Sequence, residues 1–163
     1  MPARIRSLYC DTSVIGGYFD DEWMDATREL LRQAEAARFR LVTSVVTARE
    51  IINAPPDVRG KFADAFGEEE RILDLSEEAE ALAQAYVAAG VVTPKYVDDA
   101  RHVAIATVEG IGIVVSWNFR HLANLRREAG FNGVNLLRGW GTVRIVSPLE
   151  LIHDDNEDET EDL

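Results

Sequence analysis

The chain has few of the features that would place it outside a reducing compartment or in a membrane. Of its 163 residues only Cys10 is a cysteine, so no internal disulfide can form. A lone thiol suits a reducing environment. No stretch approaches the roughly 20 apolar residues of a membrane span, and Met1 to Asp11 holds no apolar run long enough for a secretion signal. A cytoplasmic protein with no membrane partner is expected. His102, His121 and His153 have no zinc-site spacing and no cysteine pair beside them. There is no nucleophile elbow, phosphate-binding glycine loop or dinucleotide fingerprint, and Gly16-Gly17 only permits a turn. Bases are scarce too: 17 against 29 acids, a net charge of −12. That balance speaks against a nucleic-acid partner. Its distribution weakens the objection, because Asp154, Asp155, Glu157, Asp158, Glu159, Glu161 and Asp162 crowd the last ten residues without a base among them. Setting those seven aside leaves 22 acids against 17 bases. Residues 153–163 are therefore expected to be an acidic, disordered tail, and residues 1–152 a single domain.

The whole chain is 47% hydrophobic and 28% charged, ordinary for one globular domain. Strand and helix patterns alternate, which favours a parallel sheet covered on both faces. Ser7 to Asp11, Arg40 to Ser44, an edge strand over Arg71 to Leu75, Gly112 to Ser116 and Val143 to Val146 read as strands. Thr12 to Gly17 reads as a turn. Helices are expected over Trp23 to Arg38, from Thr47 until Pro55-Pro56, over Asp57 to Phe66, Lys95 to Val108 and Phe119 to Ala129. Ser76 opens a further helix as N-cap, with Glu77 and Glu78 in its first turn and Gly90 at its end.

Four polar positions stand at element ends where packing alone does not ask for them. Asp11 closes the first strand, at the edge where open parallel sheets bind ligands; capping the next turn is its other reading. Glu50 follows the second strand within Thr47-Ala48-Arg49-Glu50-Ile51-Ile52, where a surface role is the simpler account. Asp98 and Asp99 open a helix that is mostly small and apolar from Ala100 onward. Asp99 shares a face with His102, Val103 and Ala106 and needs a partner or a cation there, whereas the helix macrodipole is sufficient reason for Asp98. Asn118, after the fourth strand, reads as the N-cap of the next helix, as an amide oxygen contributed at the same sheet edge as Asp11, or as both.

Gathered together, such carboxylates demand a cation. Two unit charges about 4 Å apart repel by about 4 kcal/mol at an effective dielectric near 20, which raises pKa values or drives the groups apart. Oxygen-only ligands suit Mg²⁺ or Mn²⁺, and such ions activate water and clamp the oxygens of a phosphodiester.

In order, Cys10-Asp11-Thr12-Ser13, Arg49-Glu50-Ile51, Asp99-Ala100-Arg101-His102-Val103-Ala104-Ile105-Ala106 and Ser116-Trp117-Asn118-Phe119-Arg120-His121 resemble the successive motifs of PIN domains, above all the VapC-type toxins of prokaryotic toxin–antitoxin pairs. The resemblance runs from about Leu8 to Ile152. It implies a three-layer α/β/α domain with a parallel sheet in strand order 3-2-1-4-5. It also implies hydrolysis of RNA with Mg²⁺ or Mn²⁺, a small antitoxin as partner, and a homodimer. Carried over by motif, Asp11, Glu50 and Asp99 take the places of three metal-binding acids, and Asn118 stands where many relatives have a fourth Asp. One charge fewer weakens a second metal position or leaves it to the substrate.

Thr12, Ser13, Asp98 and Ser116 are candidate supports of that site. Arg120, His121, Arg126 and Arg127 form a basic cluster that can meet RNA phosphates, or simply a solvated helical face. His102 is read as a packing residue, and Trp23, Trp117 and Trp140 as core. Two rival functions stand beside the ribonuclease. An aspartyl-phosphate enzyme would also begin with an Asp after its first strand, but wants a second Asp where Ser13 stands. A PIN-like binding module with a vestigial site would act through protein contacts.

Overall fold

The computed structural model describes residues 4–152, so the expected acidic tail lies outside the described residues. Five strands, β1 (Arg6–Cys10), β2 (Phe39–Ser44), β3 (Ile72–Leu73), β4 (Ile113–Val115) and β5 (Arg144–Val146), form one sheet in the order β3-β2-β1-β4-β5. All its pairings are parallel. Class and strand order are those expected, and β3 is the expected edge strand, though only two residues long.

Alternation along β1 sorts the core into two layers. Leu8 and Cys10 face one way and pack with Val14, Ile15, Leu30, Leu31, Leu41 and Phe66. These lie under helices α1 (Thr12–Gly17), α2 (Met24–Glu35) and α4 (Pro56–Phe66). Tyr9 faces the other way, into the layer of Leu82, Tyr86, Val103, Ile105 and Phe131. That layer is built by α5 (Glu77–Ala88), α6 (Val97–Val108) and α7 (Leu125–Leu137). The short α3 (Val45–Glu50) leaves β2 directly, with the Ser44 hydroxyl accepting from the Val46 N–H. Among the described residues no helix is long and apolar enough to cross a membrane.

Capping explains where the helices begin. Ser76 accepts from the Ala79 N–H at 3.1 Å, as expected for the start of α5. Gly90 ends that helix at φ +76°, a left-handed conformation that glycine adopts without strain.

Two expectations are overturned. Thr12 to Gly17 is a helix and not a turn, because Asp11 caps it by accepting from the Ser13 N–H. The helix after β4 begins at Leu125, not Phe119, and runs on past Ala129 to Leu137. Asn118 therefore does not cap it. The Asn118 side chain accepts from His121 N–H at 2.9 Å and closes a turn, while Asn124 accepts from Arg127 N–H and starts the helix. Two asparagines of equal capping aptitude stood six residues apart, and the inner one serves the turn.

Candidate metal and nucleic-acid site

The site forms where β1, β2 and β4 end. Asp11 follows Cys10 and keeps the parallel ladder for one more step, its N–H donating to Val115 O at 3.1 Å. Its side chain is 4% exposed and caged by hydroxyls. Oδ1 accepts from the Ser13 N–H at 3.0 Å and the Ser13 hydroxyl at 2.6 Å, and Oδ2 accepts from the Ser116 hydroxyl at 2.6 Å. Both hydroxyls are held in turn by backbone: Trp117 N–H donates to Ser13 Oγ at 2.8 Å and Asn118 N–H to Ser116 Oγ at 2.9 Å. Burial pushes the Asp11 carboxyl up, and the charge of His102 with these hydrogen bonds pulls it back.

Asp99 sits in the first turn of α6. Burial raises its carboxyl from 3.8 to about 6; His102 opposes the rise, and the charges of Asp11, Glu50 and Asp98 add to it. These acids, distant in sequence, thus share one electrostatic neighbourhood. No hydrogen-bond donor reaches the Asp99 carboxylate among the described residues.

Glu50 ends α3 and is claimed by a neighbour. Its Oε1 lies 3.0 Å from Nε2 of His102, whose Nδ1 lies 2.6 Å from the Tyr9 hydroxyl; that hydroxyl is 2.7 Å from Ser44 Oγ. His102 is 2% exposed and packed, as expected, but it also joins Glu50 to the sheet. Tyr9 and Ser44 were not foreseen. The signal was available in principle: Tyr9 alternates with Leu8 and Cys10 and so points to the face that Asp11 shares.

Thr12 donates to Thr47 Oγ1 at 3.3 Å and not to Asp11; Thr43 links Thr47 to Cys10 O beneath it. Asp98 accepts from Arg101 at 2.9 Å, and Arg101 forks onto both oxygens of Glu80 at 2.8 and 2.9 Å. Asp98 is thereby directed to a surface network. The Asn118 carbonyl is occupied by the His121 N–H. Arg120 and His121 lie in the turn after β4, and Arg126 and Arg127 open α7; an Arg127 guanidinium nitrogen donates to Val91 O. Trp117 is buried and stacks on the half-buried Trp23 at 4.5 Å, and Trp140 packs against the core. Gly17 makes room for this stack, since a Cβ there would stand 2.5 Å from the Trp117 indole nitrogen.

The donor chemistry suits a divalent cation in one specific respect. Mg²⁺ is commonly bound through one or two carboxylates and several waters. Asp11, held rigid by hydroxyls, and Asp99, raised by burial and then by like charges, make such a pair. Among the described residues no three His, Cys, Asp or Glu side chains are gathered into a set that holds one ion as positioned; Glu50 is turned to His102. A cavity of about 860 Å³ lies at the other end of the strands between Arg4, Phe39, Arg40, Lys61 and Arg71 and includes none of the candidate residues.

No protein-family profile and no curated protein sequence matches the chain. Solved structures do match in fold. A chain of FitAcB from Neisseria gonorrhoeae superposes with TM-score 0.52 at 13% identity, over 87% of this chain and 98% of that one. A chain of FitAB bound to an IR36 DNA fragment gives 0.56 at 14%, over 86% and 94%. A chain of VapBC2 from Rickettsia felis, bound to a DNA fragment from its promoter, gives 0.47 at 10%, over 86% and 98%. With its parallel sheet in the order β3-β2-β1-β4-β5 and acids at the strand ends, the chain has a PIN-like fold.

Proposed function

We propose that the chain is a Mg²⁺- or Mn²⁺-dependent endoribonuclease, and the toxin of a toxin–antitoxin pair that acts as a homodimer and is restrained by a small separate antitoxin. The observation that carries the nuclease reading is Asp99, a half-buried carboxylate pushed to about 6, facing the charges of Asp11 and Glu50 with no donor to satisfy it. Such a group is tolerable when a cation is present. The toxin role draws on the VapC-type motifs together with the likeness in fold to the FitAB chain.

In this reading Asp11 and Asp99 hold the ion. When bound, Mg²⁺ or Mn²⁺ lowers the pKa of a water and neutralises charge developing on the phosphodiester. The protein's own contribution is orientation. Ser13 and Ser116 fix the Asp11 carboxylate so that it does not swing when charge develops nearby. Glu50, anchored through His102 to Tyr9, is held at the rim with a free Oε2 to accept a proton from an attacking water. Asn118 closes the turn that brings Arg120 and His121 alongside, and those residues, with Arg126 and Arg127, meet RNA phosphates.

Cleavage of RNA by the full chain should require Mn²⁺, stop in EDTA, and leave 5′-phosphates. Asp11→Asn and Asp99→Asn should each lower the rate by more than about 100-fold, beyond the range of outer-shell changes. Full metal-dependent cleavage by Asp11→Asn refutes the assignment. A second reading, a PIN-like binding module with a vestigial site, draws on the engagement of Glu50 by His102 and of the Asn118 carbonyl by His121. It predicts no Mn²⁺ binding that depends on Asp11 and Asp99 in isothermal titration.

A further inference from the structure

Beside the acids stands a small aromatic stack whose ring faces the phosphate-contact role given to His121 above leaves unused. Tyr96 and His121 lie face to face, ring centroids 4.0 Å apart and planes 27° from parallel. Tyr96 packs against the core layer, so it backs the stack, and the partly exposed His121 presents its outer face. The Lys95 ammonium lies 5.6 Å from the Tyr96 ring centroid. Lys95 and Arg120 are exposed and make no ion pair among the described residues. Burial, and then the charges of Arg120, Arg127 and Lys95, push the His121 imidazole down, which favours its neutral ring.

Two independent routes tie this stack to the candidate acids. Tyr96 precedes Asp99 by three residues, about 4.5 Å of helix rise. His121 is reached from Asp11 through Ser116, Asn118 and the Asn118 side chain, each link a hydrogen bond of 2.6 to 2.9 Å. A flat ring, backed by another and within the influence of three basic side chains, matches what single-stranded nucleic acids bind: a π-face for a base and positive charge for its phosphates. A duplex hides its base faces and has no use for such a surface.

We propose that the outer face of His121, supported by Tyr96, is a subsite for an unpaired nucleobase of single-stranded RNA, with Lys95, Arg120 and Arg127 receiving the flanking phosphates. The subsite rests on the ribonuclease reading for its substrate class and adds a preference for unpaired over paired RNA next to the cut.

The test is fluorescence anisotropy of the full chain with a short fluorescein-labelled single-stranded RNA, in EDTA so that nothing is cut, with circular dichroism to check each variant's fold. His121→Ala should weaken binding roughly tenfold, within the range for losing one base stack. His121→Phe, which restores a flat ring without a charge, should bind within about twofold of the parent. The pair Lys95→Ala and Arg120→Ala should flatten the salt dependence. The same RNA annealed to its complement should bind more weakly and be indifferent to His121→Ala. Wild-type affinity in His121→Ala, or equal loss in His121→Phe, overturns the subsite, as does a parent chain that binds no single strand. The two readings fail separately: a chain that cuts RNA with Mn²⁺ while His121→Ala binds like the parent loses the subsite alone. One that binds as described but never cuts loses the ribonuclease alone.

Discussion

The two ends of the sheet handle charge in opposite ways. At the C-terminal ends of the strands, acids are brought together and largely buried: Asp11 is 4% exposed and Asp99 half-buried, and His102 opposes the rise of both carboxyls. At the N-terminal ends, charges are exposed and matched, as in Arg40 with Glu70 at 3.8 Å and Arg71 with Glu68 at 3.2 Å. The second arrangement is the one expected when solubility alone is at stake. The first raises carboxyl pKa values and is retained against its own cost. The 860 Å³ cavity lies at the matched end, so the proposed site is singled out by unfavourable charge and not by cavity size.

Four substitutions would break or sharpen this contrast. The largest effect on stability is expected where the site end is tightest. Gly17→Ala drives a Cβ into the Trp117 indole and the Thr27 hydroxyl, 2.5 and 2.7 Å away, and should lower stability by about 1–3 kcal/mol in urea unfolding. Ala65→Leu, on the wall of the open cavity at the far end, should cost less than about 1 kcal/mol. Equal losses would mean that the two ends are packed alike.

Next comes the strain of Asp99. Its folded pKa, about 6, lies above the ordinary 3.8, so between those values the folded state binds more protons than the unfolded one. Stability therefore falls as pH rises through that window. In EDTA, Asp99→Asn should stabilise the protein at pH 8 by about 2 kcal/mol and by little near pH 4, where the parent's Asp99 is protonated. A gain independent of pH in thermal unfolding would sever Asp99 from its acidic neighbours. The smallest effect is at the matched end. Arg40→Ala removes an exposed, loose ion pair and should move Tm by less than roughly 2 °C; a larger shift would make that end structurally costly too.

Much of this was legible in the chain. Local patterns carried the alternation of strand and helix, and the Ser76 cap signalled its helix as read. The positions of Asp11 and Asp99 at element ends were visible as acids that packing did not require. Legibility stopped where two local solutions were equally good. Thr12 to Gly17 has turn-like composition, and the Asp11 cap together with the burial of Val14, Ile15 and Gly17 against α2 and α4 makes a helix of it. Asn118 and Asn124 are both able caps, and the competition is settled by the Asn118 backbone already being tied to Ser116. His102 read as a packing residue because one sequence does not reveal that Tyr9 and Glu50 meet its two ring nitrogens from 93 and 52 residues away.

The sequence by itself determined a parallel α/β domain and the residue types at its strand ends, because period-two and period-3.6 patterns and cap preferences are properties of a few consecutive residues. Which carboxylates feel one another, which hydroxyl holds which acid, and which side of the turn after β4 displays His121 on Tyr96 were decided only by tertiary structure. Those contacts join segments dozens of residues apart, and their energies depend on distance and burial, which no local pattern encodes.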